Sequence, residues 1–181
     1  MIKYLTEKWS YYYMGRRTIM LEYATLENVS KVVLFETFMK TADNFRIKDE
    51  ANLDMFCEML LERDYDPAIS VGAFDTETGE MVSFVLNSIL KDDKKTAYDI
   101  LTGTVPDYRR KGISRAIFEK VKTILKEKQV ELYTTEVKRN NTIAWNLYQS
   151  LGFEIKKEVV TIINTPHGSR EVEQYEIMMK I

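Results

Sequence analysis

Apolar and polar positions along this chain change their period repeatedly, and each change predicts an element. From Thr18 to Tyr23 they alternate, the period of a half-buried strand. From about 26 to 41 the period is helical, with Val29, Val32, Val33, Phe35 and Met39 predicted to face inward and Thr25 placed to cap the N-terminus. A second helix over roughly 50–63 would bury Leu53, Phe56, Cys57 and Leu60. Ile69 to Phe74 and Met81 to Leu90 read as strands joined by the turn Thr76-Glu77-Thr78-Gly79. Past the charged loop Lys91 to Lys95, Tyr98 to Val105 is the next strand. A helix over 113–128 follows, with Ile113, Ile117, Val121 and Leu125 on one stripe. Val130 to Val137 is again a strand, and a short helix capped by Asn140-Asn141 ends at Gly152. Two strands, about 153–163 and 171–180, close the chain around Thr165-Pro166-His167-Gly168.

This order predicts a mixed α/β (α+β) fold with one parallel β-α-β crossover over residues 99–137 and antiparallel pairs on each side. The two crossover strands should lie parallel and adjacent. With no repeat, low-complexity run or Gly/Ser linker, residues 18–181 read as a single domain behind an extension of residues 1–17. In that extension Ile2, Leu5, Trp9 and Tyr12 fall on one helical face, among the basic residues Lys3, Lys8, Arg16 and Arg17. It is expected to pack on the domain or on a second copy of the chain, the latter making a homodimer.

Composition narrows the classes. At 181 residues, 45% hydrophobic and 30% charged, the chain can bury one substantial core. A net charge of -2 lacks the basic footprint of a general nucleic-acid binder, so nucleic acid is not an expected partner. Cys57 is the only cysteine and His167 the only histidine, so neither an internal disulfide nor a Cys/His metal site is expected. No run reaches the ~18–20 apolar residues of a membrane span, and the N-terminus lacks a signal-peptide core; the expected location is cytoplasmic.

The candidate chemistry starts at Val105-Pro106-Asp107-Tyr108-Arg109-Arg110-Lys111-Gly112-Ile113-Ser114. Pro106 has no amide hydrogen for a sheet ladder, so the strand ends there and a basic turn opens the next helix. The first amides of that helix have no internal partners and sit at the positive end of its dipole, which suits phosphate, with Gly112 sparing a side chain that would block close approach. Neither a nucleotide P-loop nor a dinucleotide Gly-x-Gly-x-x-Gly run is present. Instead, Arg109-x-x-Gly112-x-Ser114 is followed some thirty residues later by Val137-x-x-x-Asn141-x-x-Ala144-x-x-Leu147-Tyr148-x-x-Leu151-Gly152-Phe153. Together, in this element order, these closely resemble the GNAT superfamily of acetyl-CoA-dependent N-acetyltransferases over residues 18–181, with helices on both faces of a mostly antiparallel sheet. The family usually has Gly or Ala where this chain has Ser114, whose small hydroxyl could itself reach a phosphate.

The resemblance implies acetyl-CoA as cosubstrate, no metal, and a primary amine as acceptor in direct ternary-complex transfer. Backbone amides of Arg110, Lys111, Gly112, Ile113 and Ser114 would hold the coenzyme A diphosphate, with Arg109, Arg110 and Lys111 adding positive charge. The main chain from Leu101 through Thr104 to Val105 would pair with the pantetheine arm, Gly103 marking a bulge or relieving crowding. Asn141 would cap its helix and reach the pantetheine. Tyr148 is the candidate acid for the departing thiolate, against the reading of a core tyrosine. Asp99 is the candidate base, ahead of Glu22; His167 reads as a turn residue, and Cys57 lacks a histidine to activate it.

From Asp43 to Asp66 there are eight acidic and three basic residues, which would suit a cationic acceptor, whether a small-molecule amine or a protein amine. From 105 to 139 ten basic residues face five acidic, consistent with a polyphosphate on that side. Two other classes remain open: a non-catalytic acyl-CoA-binding regulatory domain, and an interaction module docking through the aromatic N-terminal segment. A longer acyl donor such as succinyl-CoA is also compatible.

Overall fold

The alternating stretch after residue 17 is strand β2 (Arg17–Thr25), and β1 (Trp9–Met14) runs antiparallel beside it with Trp9 opposite Glu22. This corrects the helical face expected for the first seventeen residues, as far as it is described. Three consecutive tyrosines, Tyr11 to Tyr13, suit a pleated, half-buried surface better than a helix, and Tyr12 Oη lies 2.7 Å from Tyr23 Oη. The computed structural model describes residues 9–14, 17–42, 51–165 and 168–181; Ile2, Leu5 and His167 lie outside them.

The chain forms two units: Met1–Ser88 with Ile100–Ile124, and Ile89–Asp99 with Leu125–Ile181. In the first, β2 pairs antiparallel with β3 (Val71–Asp75), and β3 with β4 (Met81–Ile89). The end of β5 (Thr96–Thr104) lies next to β4, and Val105 donates its N–H to Val82 O at 2.9 Å. Helix α1 (Lys31–Thr41) is capped by Ser30, whose Oγ accepts from Val33 N at 3.3 Å, rather than by Thr25, whose hydroxyl bonds Glu27. That later start sets the helix phase, so Leu34 and Thr37 are buried while Val32 and Val33 are exposed. Asn52 caps α2 (Leu53–Glu62), which buries Phe56 and Leu60 and leaves Leu53 and Cys57 half-buried. The core joins Leu26, Leu34, Phe56, Leu60, Met81, Phe84 and Leu86.

In the second unit the start of β5 pairs parallel with β6 (Leu132–Lys138), Thr96 opposite Leu132 and Tyr98 opposite Thr134. This is the crossover arrangement expected from the order of elements. β6 then pairs antiparallel with β8 (Gly168–Lys180), and β8 with β7 (Glu154–Thr165). Tyr133, Phe153 and Tyr148 form its aromatic core, with ring centroids 5.5 and 5.2 Å apart. Of helix α3 (Ile113–Glu127), Ile113, Ile117, Phe118 and Val121 are buried in the first unit and Leu125 in the second, where α4 (Thr142–Leu151) buries Tyr148 and Leu151. The sheet is mostly antiparallel with one parallel pair.

Gly103 relieves crowding. A Cβ there would come within 2.8 Å of Phe84 Cζ and 3.0 Å of Thr41 Cγ2. Gly103→Ala is therefore expected to destabilise the protein by about 1–3 kcal/mol, read as a lowered midpoint in chemical denaturation.

Candidate active site

The turn between β5 and α3 is built to expose amides. Pro106 opens a short 3-10 turn, Pro106–Tyr108, in which Tyr108 N bonds Val105 O and Arg109 N bonds Pro106 O. The backbone then takes two left-handed residues, Arg110 at φ 60 and Gly112 at φ 77. Such alternation turns successive N–H groups toward one concavity. No acceptor within the described residues takes the N–H groups of Arg110, Lys111, Gly112, Ile113 or Ser114. A Cβ on Gly112 would meet no atom within 4 Å, so glycine here answers to the dihedral angle.

The three cations divide their work. Arg109 donates Nε to Thr104 O at 3.0 Å and an Nη to Thr41 O at 2.8 Å, clamping the end of β5 to the end of α1. Lys111 folds its ammonium back onto Asp107 O and Arg109 O. Arg110 is exposed. Arg109 and Lys111 thus fasten the turn. Tyr108 fastens it a third way, donating its hydroxyl to Asp75 Oδ2 at 2.7 Å, while Asp75 Oδ1 takes the N–H of Glu77. Asp75 is buried at the end of β3. In the sequence an aspartate before a hairpin reads only as a turn residue, and nothing there announces its partner 33 positions on.

Ser114 is also committed inward. Ser83 donates its hydroxyl to Gly103 O at 2.9 Å and lies 2.8 Å from Thr104 Oγ1, which lies 3.0 Å from Ser114 Oγ. Each hydroxyl has one proton, so the donation to a carbonyl polarises the chain: Thr104 donates to Ser83, and Ser114 to Thr104. Ser114 therefore contributes its backbone amide to the turn, and its hydroxyl proton is spent on Thr104. The amide of Val105 is likewise spent, on Val82.

In the second unit Asn141 caps α4, accepting from Ala144 N at 3.2 Å, and the helix ends at Gly152 with φ 99. One turn before that end, Tyr148 is buried with its ring edge-on to Phe153. Its hydroxyl donates to Asp99 Oδ2 at 2.8 Å. Asp99 is 1% exposed, and its carbonyl accepts from Thr135 Oγ1 at 2.9 Å. The two residues proposed as acid and base from sequence are thus hydrogen-bonded to each other. The other candidates are placed apart from this pair along the chain: Glu22 is half-buried on β2 opposite Phe74, and Cys57 is half-buried on α2.

A carboxylate passed over in the sequence stands on β6. Glu136 is exposed, and its Oε2 accepts from Gln174 Nε2 at 2.9 Å; the buried Gln174 also bonds Thr161. Alternation along β6 puts Glu136 on the opposite face from Tyr133, Thr135 and Val137. The only sequence signal is a polar residue in a strand, which is ordinary. Beside it, Lys138, Arg139, Asn140, Glu171, Val172 and Glu173 line a cavity of about 330 Å³.

A profile of the acetyltransferase (GNAT) family matches residues 33–153, which include the turn, Asp99, Asn141 and Tyr148. The chain belongs to the GNAT acetyltransferase family. Among curated relatives, the ribosomal protein bS18-alanine N-acetyltransferase of Escherichia coli K12 is 35% identical over 78 residues, 43% of this chain and 51% of the relative. The match therefore spans about half of that enzyme's length. The crystal structure of the S18-alanine N-acetyltransferase from Escherichia coli superposes with a TM-score of 0.69 at 21% identity, covering 90% of this chain and 94% of that one. An acetyltransferase structure from Salmonella typhimurium, solved with its cofactor acetyl-CoA, has a TM-score of 0.63 at 12% identity, covering 88% and 93%. These solved structures share the GNAT fold. Among the described residues no helix is long and apolar enough to cross a membrane.

Proposed function

We propose that this GNAT protein transfers the acetyl group of acetyl-CoA to a primary amine by direct attack. The observation that carries the reading is the turn from Arg110 to Ser114, with left-handed backbone at Arg110 and Gly112 and no acceptor among the described residues for its amides, at the start of a fifteen-residue helix. A diphosphate supplies the acceptors those donors lack. The amine nitrogen attacks the thioester carbonyl carbon; the C–N bond forms, the C–S bond breaks, and the thiolate takes its proton from the Tyr148 phenol, whose hydroxyl must turn from Asp99 Oδ2 to sulfur. Water then re-protonates the phenolate.

The ammonium form of the acceptor must first lose a proton. Asp99 is enclosed and already accepts the Tyr148 hydroxyl, whereas Glu136 is exposed and held in orientation by Gln174. We assign the base to Glu136, directly or through one water. Glu136→Gln keeps the Gln174 neighbourhood polar and is expected to lower kcat/KM about a hundredfold, with the affinity for acetyl-CoA kept.

The acceptor is a cationic amine, and the similarity to an enzyme acting on a ribosomal-protein alanine makes a protein N-terminal amine the first class to try. The test is calorimetric titration with acetyl-CoA, coenzyme A and ATP, then thiol release with an alanine-starting peptide, a polyamine and an aminoglycoside. Tight acetyl-CoA binding and turnover of one amine support the reading. Correctly folded protein that binds no acetyl-CoA overturns it, and binding without turnover of any amine favours a regulatory acyl-CoA-binding domain.

A further inference from the structure

We propose that Asp75 is a positioning residue for the coenzyme A diphosphate, acting through Tyr108. This role presupposes residues 110–114 as the diphosphate turn, the reading proposed above. Arg109 ties that turn to the end of α1, and Tyr108 ties it to the end of β3, whereas Lys111 bonds carbonyls of the turn itself. The end of β3 is a firm anchor. Asp75 is 1% exposed and lies opposite Leu21 of β2. Its N–H donates to Glu80 O at 2.9 Å, and its carbonyl accepts from Gly79 N at 2.7 Å. Its two carboxylate oxygens answer two donors, Oδ1 the Glu77 N–H and Oδ2 the Tyr108 hydroxyl at 2.7 Å. Tyr108 stands two residues before Arg110, so the tilt of its backbone sets the direction of the amides that follow. Hydrogen bonds weaken steeply with misalignment, and amides converging on one group lose together when their shared frame turns. Tethering the phenol at its tip therefore bears on the affinity for a diphosphate.

A carboxylate that only stabilises the fold and one that positions the turn are told apart by three ligands. Coenzyme A is titrated by calorimetry. Pantetheine, which lacks the diphosphate, and inorganic diphosphate, which lacks the arm, are titrated by the shifts of isotope-labelled backbone amides. The full chain is measured as wild type, Tyr108→Phe, Asp75→Asn, Asp75→Ala and the double variant of Asp75→Ala with Tyr108→Phe. Tyr108→Phe removes one oxygen and leaves the Glu77 bond to Asp75 in place. It is expected to weaken coenzyme A and inorganic diphosphate at least about tenfold, and pantetheine by less than about twofold. Asp75→Ala should show the same split. Asp75→Asn keeps both links, its Oδ1 accepting from Glu77 and its amide donating to the Tyr108 oxygen. That variant should bind coenzyme A within about threefold of wild type. In the Tyr108→Phe background, Asp75→Ala should cost no more than about a further twofold.

Equal weakening of pantetheine and coenzyme A in Tyr108→Phe means general damage to the site and overturns the positioning role. So does a Tyr108→Phe that binds coenzyme A or inorganic diphosphate as tightly as wild type. An Asp75→Asn as weak as Tyr108→Phe overturns the route through the phenol, as does a larger loss on adding Asp75→Ala to Tyr108→Phe. Folded wild type that binds no coenzyme A is a different failure, that of the diphosphate turn itself. Should Asp75→Ala fail to fold, Tyr108→Phe and Asp75→Asn decide the question with the same three ligands.

Discussion

Gly112→Glu is expected to weaken acetyl-CoA binding at least a hundredfold while leaving a folded protein. Two effects act together. The position has φ 77, so any L side chain there is strained, by roughly 1–2 kcal/mol. A Cβ there meets no protein atom within 4 Å, so overpacking at the backbone does not add to the cost. Its carboxylate instead adds a negative charge to the turn that carries the amides of residues 110–114. With an effective dielectric near 20 and a separation of ~6 Å, each pair of unit charges costs ~3 kcal/mol, about two powers of ten in affinity. Gly112→Asn is the control, because asparagine tolerates the left-handed region and carries no charge. It should bind acetyl-CoA within about tenfold of wild type. Calorimetry at two salt concentrations separates the effects, since added salt partly restores binding to the Glu variant and leaves a purely conformational loss unchanged. Equal loss in both variants at all salt concentrations would mean that the turn's shape matters and its field does not.

Tyr148→Phe should lower kcat about a hundredfold with little change in the affinity for acetyl-CoA, the pattern of an interaction made only as the thiolate leaves. The substitution removes one oxygen and keeps the ring that packs edge-on to Phe153. Its structural cost is the loss of the phenol's hydrogen bond to the buried Asp99 carboxylate. Thermal melting measures that cost separately. Replacing acetyl-CoA by an oxygen ester of coenzyme A would widen the gap between variant and wild type, since an alkoxide needs a proton more than a thiolate does. A variant as fast as wild type would return Tyr148 to the role of a core aromatic.

Most elements were legible from periodicity because they bury one stripe. Ile113, Ile117, Val121 and Leu125 step through α3 four at a time, and all four are buried. The β-α-β crossover was legible for a similar reason: a strand, an amphipathic helix and a strand permit few connections. Local reasoning failed where neighbours decide. Val32 and Val33 looked inward, yet the cap at Ser30 turned Leu34 and Thr37 to the core. Trp9 and Tyr12 matched a helical face, yet pairing with β2 drew them into a strand.

The chemistry divides in the same way. The sequence by itself determined which residue types stand at the turn and on α4, since Pro106, Gly112, Asn141 and Gly152 act through their own backbone geometry or that of the next few residues. Tertiary structure alone decided what each side chain is spent on. Arg109 reaches Thr41, 68 positions away, Tyr108 reaches Asp75 across 33, and Tyr148 reaches Asp99 across 49. Those bonds make Arg109 a clamp on the end of α1 and join the candidate base to the candidate acid. Hydrogen bonds and burial depend on distance in space, which a linear pattern of residues does not encode. Dihedral preference and hydrophobic period depend on the adjacent chain, which it does.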